Sequence, residues 1–147
     1  PCDFETSSIR QALSAVGFDE TKPAFVSWLG VTQYLTRPAI ANTLEWVASL
    51  PPGSGIVLTF VVPGPIAEQH KALMAARGTR FETFFTPDEM STTLSQSGLS
   101  QAFHFTPERL HETHFNGRCD FLVAPTIERI VVAHVPDHSP ASQSVEN

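Results

Sequence analysis

Two stretches of this chain, residues 24–28 and 55–62, are apolar almost without interruption, and they narrow the fold more than anything else in the sequence. A strand with one wet face alternates polar and apolar residues. A continuously apolar strand belongs where both faces are covered, as in a parallel sheet flanked by helices. The segment between the two runs points the same way. Thr36 is placed to cap a helix, Pro38 fits its first turn, and Ile40, Leu44 and Val47 form a buried stripe that Pro51, Pro52 and Gly53 end. Strand, helix and strand with short connections predict a right-handed crossover in a parallel sheet, hence an α/β fold.

The flanking segments extend that pattern. Ile9, Leu13 and Val16 recur at helical spacing after several candidate caps, and Gly17 is a good stop. Pro63, Gly64 and Pro65 end the second strand. A helix is expected over residues 66–77, with Glu68 and Lys71 three apart and placed to pair. Phe81, Phe84 and Phe85 then precede a capping box, in which Thr86 is the cap, Pro87 the first helical residue and Glu89 the returning carboxylate. That helix continues through Met90 and Leu94 to Gly98. A strand over 101–105, a short helix capped by Thr106 and a final strand over 127–135 complete the reading, which gives one domain over 1–135 and a polar, Ser-rich tail over 136–147.

Composition limits the function. A chain of 147 residues is one domain's worth and buries roughly 70% of its unfolded surface. The net charge of -6 and the lack of any basic run give no reason to expect nucleic acid or an anionic membrane as partner. The apolar run 56–62 is far shorter than the ~20 residues a spanning helix needs, and no signal pattern opens the chain. A cytoplasmic protein with free thiols at Cys2 and Cys119 is expected. The opening at Pro1, in what reads as the end of a structural element, leads us to expect further sequence upstream.

Local motifs for metal or nucleophilic chemistry do not close. His111 and His114 are three apart, whereas the zinc-protease helix needs four, so no metal is expected. Ser54 lies between glycines but before a strand, the wrong side for a nucleophile elbow. Neither a Walker loop nor a Gly-x-Gly-x-x-Gly run is present.

Four separated segments carry a resemblance: residues 1–5 (Pro-Cys-Asp-Phe-Glu), 24–36 (Ala-Phe-Val-Ser-Trp-Leu-Gly-Val-Thr-Gln-Tyr-Leu-Thr), 84–89 (Phe-Phe-Thr-Pro-Asp-Glu) and 115–120 (Phe-Asn-Gly-Arg-Cys-Asp). In order and spacing they resemble the leucine carboxyl methyltransferase-like family of class I, S-adenosyl-L-methionine-dependent methyltransferases, up to about Val135. The match is to the C-terminal half of such an enzyme. The resemblance implies a Rossmann-like sheet with helices on both faces, here without the N-terminal cofactor loop and first strand.

It also implies site residues. Asp3 would accept from the adenine amine and Phe4 would give an apolar contact, which suits a carboxylate and a ring. Without the resemblance, a capping Asp3 and a core Phe4 explain both residues. Leu29 and Gly30 would face the cofactor at the carboxyl end of a strand, where such folds bind ligands. Many members carry a glutamate where Leu29 stands, so any contact there is apolar or from the backbone. Tyr34 is either a substrate-side residue or a core tyrosine, and Arg118 either meets an anionic substrate or pairs with Asp120 or a backbone carbonyl. The function implied is O-methylation of the carboxyl type on a small or carboxylate-bearing substrate, inactive without the N-terminal half. The alternative is a non-catalytic α/β module or degenerate remnant that forms a homodimer through an open sheet edge.

Overall fold

The computed structural model describes residues 2–137, apart from the side chain of Gln101. The expected tail therefore lies outside the described residues from position 138 onward. In order come α1 (Ile9–Ser14), β1 (Phe25–Trp28), a 3-10 turn (Thr32–Tyr34), α2 (Arg37–Ala48), β2 (Gly55–Val61), α3 (Pro65–Ala76), α4 (Pro87–Gln96), β3 (Ser100–Phe105), α5 (Pro107–Leu110), a π-helical turn (His111–Phe115) and β4 (Glu128–His134).

The four strands form one sheet in the order β1-β2-β4-β3. β1 and β2 are parallel, as the crossover through α2 requires. β4 is antiparallel to both β2 and β3, so the sheet is mixed, and β3 runs in the same direction as the first two strands. β1, β2 and β3 thus point their carboxyl ends to one edge. There the Val62 N–H donates to the Ile127 carbonyl at 2.8 Å, which fixes the entry of β4.

The register sorts the side chains onto two unlike faces. Trp28, Leu58 and Val131 are paired neighbours on one face, and Ile56, Phe60 and Ala133 share it. All are buried in a single core with Ile40, Leu44 and Val47 of α2 and Met90 and Leu94 of α4. The other face is thinly covered, because Phe25, Ser27, Phe103 and His134 are exposed and Val57, Ile130 and Val132 only partly buried. Burial of residues 24–28 on both faces is therefore not met: Phe25 is 57% exposed and only Trp28 is fully buried. The cause is position, since β1 is an edge strand with a single neighbour among the described residues. Gly55 lets the Phe25 and His134 rings close over β2, where an added Cβ would lie 2.9 Å from the Ala133 carbonyl oxygen.

Helix ends follow the sequence signals. The Thr36 hydroxyl accepts from the Ala39 N–H, and both halves of the Thr86/Glu89 capping box form, at 2.8 and 3.2 Å. The Glu68–Lys71 pairing is not seen; Lys71 instead places its ammonium 5.4 Å from the centroid of the Phe84 ring. α3 buries only Ala67. No helix among the described residues is long and apolar enough to cross a membrane.

Candidate functional site

β1 ends in Trp28, Leu29 and Gly30 at the carboxyl edge of the sheet. Gly30 has φ 70°, a left-handed conformation that side chains resist, and an added Cβ would meet nothing within 4 Å. Its glycine therefore answers a backbone demand and leaves open space beside the strand end. Thr59 of β2 pins the turn twice: its hydroxyl accepts from the Gly30 N–H at 2.7 Å, and its carbonyl accepts from the buried Thr32 hydroxyl at 2.7 Å. Sequence reasoning missed Thr59. The signal was there, because it is the sole hydroxyl in the apolar run 55–62.

Residues 3–5 lie against the same strand end. The Phe4 and Trp28 rings are 5.6 Å apart, and the Glu5 carboxylate accepts from both the Thr36 N–H and the Thr36 hydroxyl at 2.7 and 2.8 Å, tying this segment to the start of α2. Asp3 is exposed, and its two oxygens accept from the Glu5 N–H and the Thr6 hydroxyl at 3.0 Å each. Each oxygen keeps a second lone pair free of these bonds. The half-exposed Leu29 follows Trp28 directly. Phe4 thus packs on the last residue of β1, with Asp3 next to it in the chain, and Leu29 and Gly30 continue that strand end. A groove of about 510 Å³ between residues 4–10 and α2 shares only Phe4 with that set, and its lining includes no residue of the strand ends.

Tyr34 sits farther along, on the 3-10 turn, 42% exposed and edge-on to Phe81 at 5.4 Å; Phe84 meets Phe81 edge-on at 6.1 Å. Hydrogen bonds from residues 82–85 fasten this aromatic segment to the turn after β1 and to the end of β2. The Glu82 N–H donates to the Gln33 carbonyl at 2.7 Å, the Thr83 hydroxyl to the Leu35 carbonyl at 2.6 Å, and the Phe85 N–H to the Val61 carbonyl at 3.0 Å. Gln33 and Thr83 were likewise not singled out from sequence. Arg118 is engaged by Asp120, with Nε donating at 2.8 Å and a second guanidinium bond beside it. This pairing holds the Asp120 carboxyl below its ordinary range and pushes Arg118 up. Elsewhere, His104 Nε2 lies 2.8 Å from the Ser91 hydroxyl, and burial pushes its pKa down against a smaller upward pull from Asp88.

Comparison with known proteins finds relatives of this chain. The leucine carboxyl methyltransferase family model matches residues 1–48. The "Putative S-adenosyl-L-methionine-dependent methyltransferase YktD" of Bacillus subtilis (strain 168) is 33% identical over 133 residues, which are 84% of this chain. Over these spans the chain is similar to the leucine carboxyl methyltransferase family and to an S-adenosyl-L-methionine-dependent methyltransferase. It spans 43% of the length of that relative. Solved structures agree on the fold. A DUF574 family protein from Streptomyces avermitilis superposes with TM-score 0.63 at 16% identity, over 90% of this chain and 54% of that one. Human N-acetylserotonin methyltransferase in complex with SAM gives TM-score 0.53 at 16% identity, over 77% of this chain and 29% of the other.

The family's cofactor is S-adenosyl-L-methionine. The residue types at the end of β1 are ones that suit an adenosyl group chemically. Asp3 offers an accessible carboxylate acceptor, Phe4 an apolar ring, and Gly30 open space on a fixed turn.

Proposed function

We propose that this chain supplies the adenine side and the acceptor side of an S-adenosyl-L-methionine-dependent O-methyltransferase of the carboxyl-methylating type. Similarity to the leucine carboxyl methyltransferase family, together with Phe4 packed on Trp28 just before Leu29 and Gly30, carries this reading. Asp3 accepts from the exocyclic amine, Phe4 gives the purine an apolar contact, Leu29 packs and Gly30 leaves room. Tyr34 lies on the substrate side. The cofactor supplies an electrophilic methyl group. A carboxylate acceptor is already a nucleophile and needs no general base, so the chain's task is to hold two reactants aligned and dry. That division of labour agrees with an edge whose assigned residues include no acid–base dyad.

In this reading the chain works with a further N-terminal half in the cytoplasm, which brings the glycine-rich loop and covers β1. The half-covered sheet face and the open side of β1 support the requirement. Calorimetric titration of the 147-residue chain with S-adenosyl-L-methionine tests it. Affinity no better than about 1 mM is expected for half a site. Micromolar binding by this chain alone would refute the need for another half. The exposed Phe25 and unpaired β1 edge also favour a second reading, a non-catalytic module that dimerises edge to edge. Light scattering that finds a monomer at the highest concentration the chain tolerates removes that reading.

A further inference from the structure

Between α3 and residues 80–82 lies a groove of about 310 Å³ lined by Lys71, Ala75, Arg80, Phe81 and Glu82. Its chemistry differs from the rest of this acidic chain. Lys71 forgoes the neighbouring Glu68 and lies over the Phe84 ring, and neither Lys71 nor Arg80 is within 4.0 Å of a carboxylate in any salt bridge among the described residues. Elsewhere in the helical half Arg10 pairs with Glu20 and Arg37 with Glu89, whereas Arg77, just after α3, like Arg80 is in no salt bridge among the described residues. Two unneutralised cations against the single Glu82 leave the groove net positive in a chain of net charge -6. One wall of the groove is Phe81, whose ring continues through edge contacts to Tyr34 on one side and Phe84 on the other. The same segment is bolted to the carboxyl edge by the Gln33, Leu35 and Val61 carbonyls.

We propose that this groove is the acceptor-recognition subsite, and that it selects acceptors joining a planar apolar body to an anionic group. Lys71 and Arg80 hold the anion, and Phe81, backed by its edge contacts to Phe84 and Tyr34, holds the apolar body. The proposal rests on the methyltransferase reading for the word acceptor, but the binding chemistry stands apart from it. A cation that is not already paired gains more from an incoming carboxylate than one that must first give up a partner, and aromatic edges suit a flat ligand.

The test uses the full 147-residue chain and 2-naphthoate as probe, followed by backbone amide NMR shifts, with methyl 2-naphthoate as the neutral comparator. Naphthoate should shift the amides of residues 80–84 and bind about tenfold more tightly than its ester, a ratio that shrinks as salt is raised. The double variant Lys71→Ala, Arg80→Ala should lose about that tenfold for naphthoate and leave the ester unchanged. Both side chains are exposed, so the variant's thermal midpoint verifies that the fold is retained. Equal binding of acid and ester, an unaffected double variant, or no shift at residues 80–84 at saturating probe would each overturn the proposal. S-adenosyl-L-homocysteine is titrated into the same samples. If the naphthoate results hold while that ligand leaves Gly30 unshifted, the anion subsite stands and the methyltransferase assignment of the strand end fails.

Discussion

Gly30→Ala separates the backbone role of this residue from its role beside a ligand. At φ 70° an alanine is strained by roughly 1–2 kcal/mol, and because nothing lies within 4 Å of the added Cβ, no steric term adds to that figure. Unfolding entropy near 2.1 cal/mol/K per residue over 147 residues is roughly 0.3 kcal/mol/K, so the melting temperature should fall by about 3–6 °C. Gly17→Ala is a matched control. It stands at φ 81° after α1, also with nothing within 4 Å, and should lose the same amount. The two variants part company on ligand. The methyl group at position 30 projects into the space assigned to the cofactor, so S-adenosyl-L-homocysteine binding, followed by NMR, should weaken about tenfold or more in Gly30→Ala and stay unchanged in Gly17→Ala. Equal ligand affinity in the two variants would refute the placement of the cofactor at Gly30, whatever the melting curves show.

Three further outcomes are expected. His104 is held neutral in the fold by burial, so its folded pKa lies below the unfolded value near 6.5; its contribution is present above pH 6.5 and is lost as pH falls through the folded pKa, and His104→Leu should flatten that part of a pH series of urea midpoints. Thr86→Ala should destabilise by about 1 kcal/mol in urea unfolding, because it removes the acceptor for the Glu89 N–H. Thr59→Val removes the acceptor for the Gly30 N–H while sparing the Thr32 bond to the Thr59 carbonyl, so it should destabilise by about 1 kcal/mol and speed amide exchange at Gly30 above that at Thr32's neighbours.

Much of the fold was legible because its signals are local. Thr86, Pro87 and Glu89 specify a helix start with bonds made inside four residues, and Ile40, Leu44 and Val47 mark a face by spacing alone. The exposure of β1 was not legible: Phe25 and Ser27 have the composition of a covered strand, and only the sheet order shows that β1 is an edge. The antiparallel course of β4 was hidden for the same reason, since strand direction is set by where Ile127 meets Val62 and not by the apolar content of residues 127–135. At the candidate site, Asp3, Phe4, Leu29, Gly30 and Tyr34 came from family likeness, whereas Thr32 and Gln33 work through long-range bonds that no local pattern encodes, and Thr59 left only its lone hydroxyl in an apolar run as a mark. Lys71 is the sharpest case. Its spacing from Glu68 promised a helix-surface pair, and the ring of Phe84 took the ammonium instead.

The most direct test of the account is a backbone amide NMR titration of the 147-residue chain with S-adenosyl-L-homocysteine. If the end of β1 holds the adenosyl group, the amides of Phe4, Leu29 and Gly30 shift together with one weak dissociation constant, on the order of 1 mM, and Asp3→Asn weakens it. Shifts confined to the groove between residues 4–10 and α2, or absent at Gly30 under saturating ligand, would contradict it.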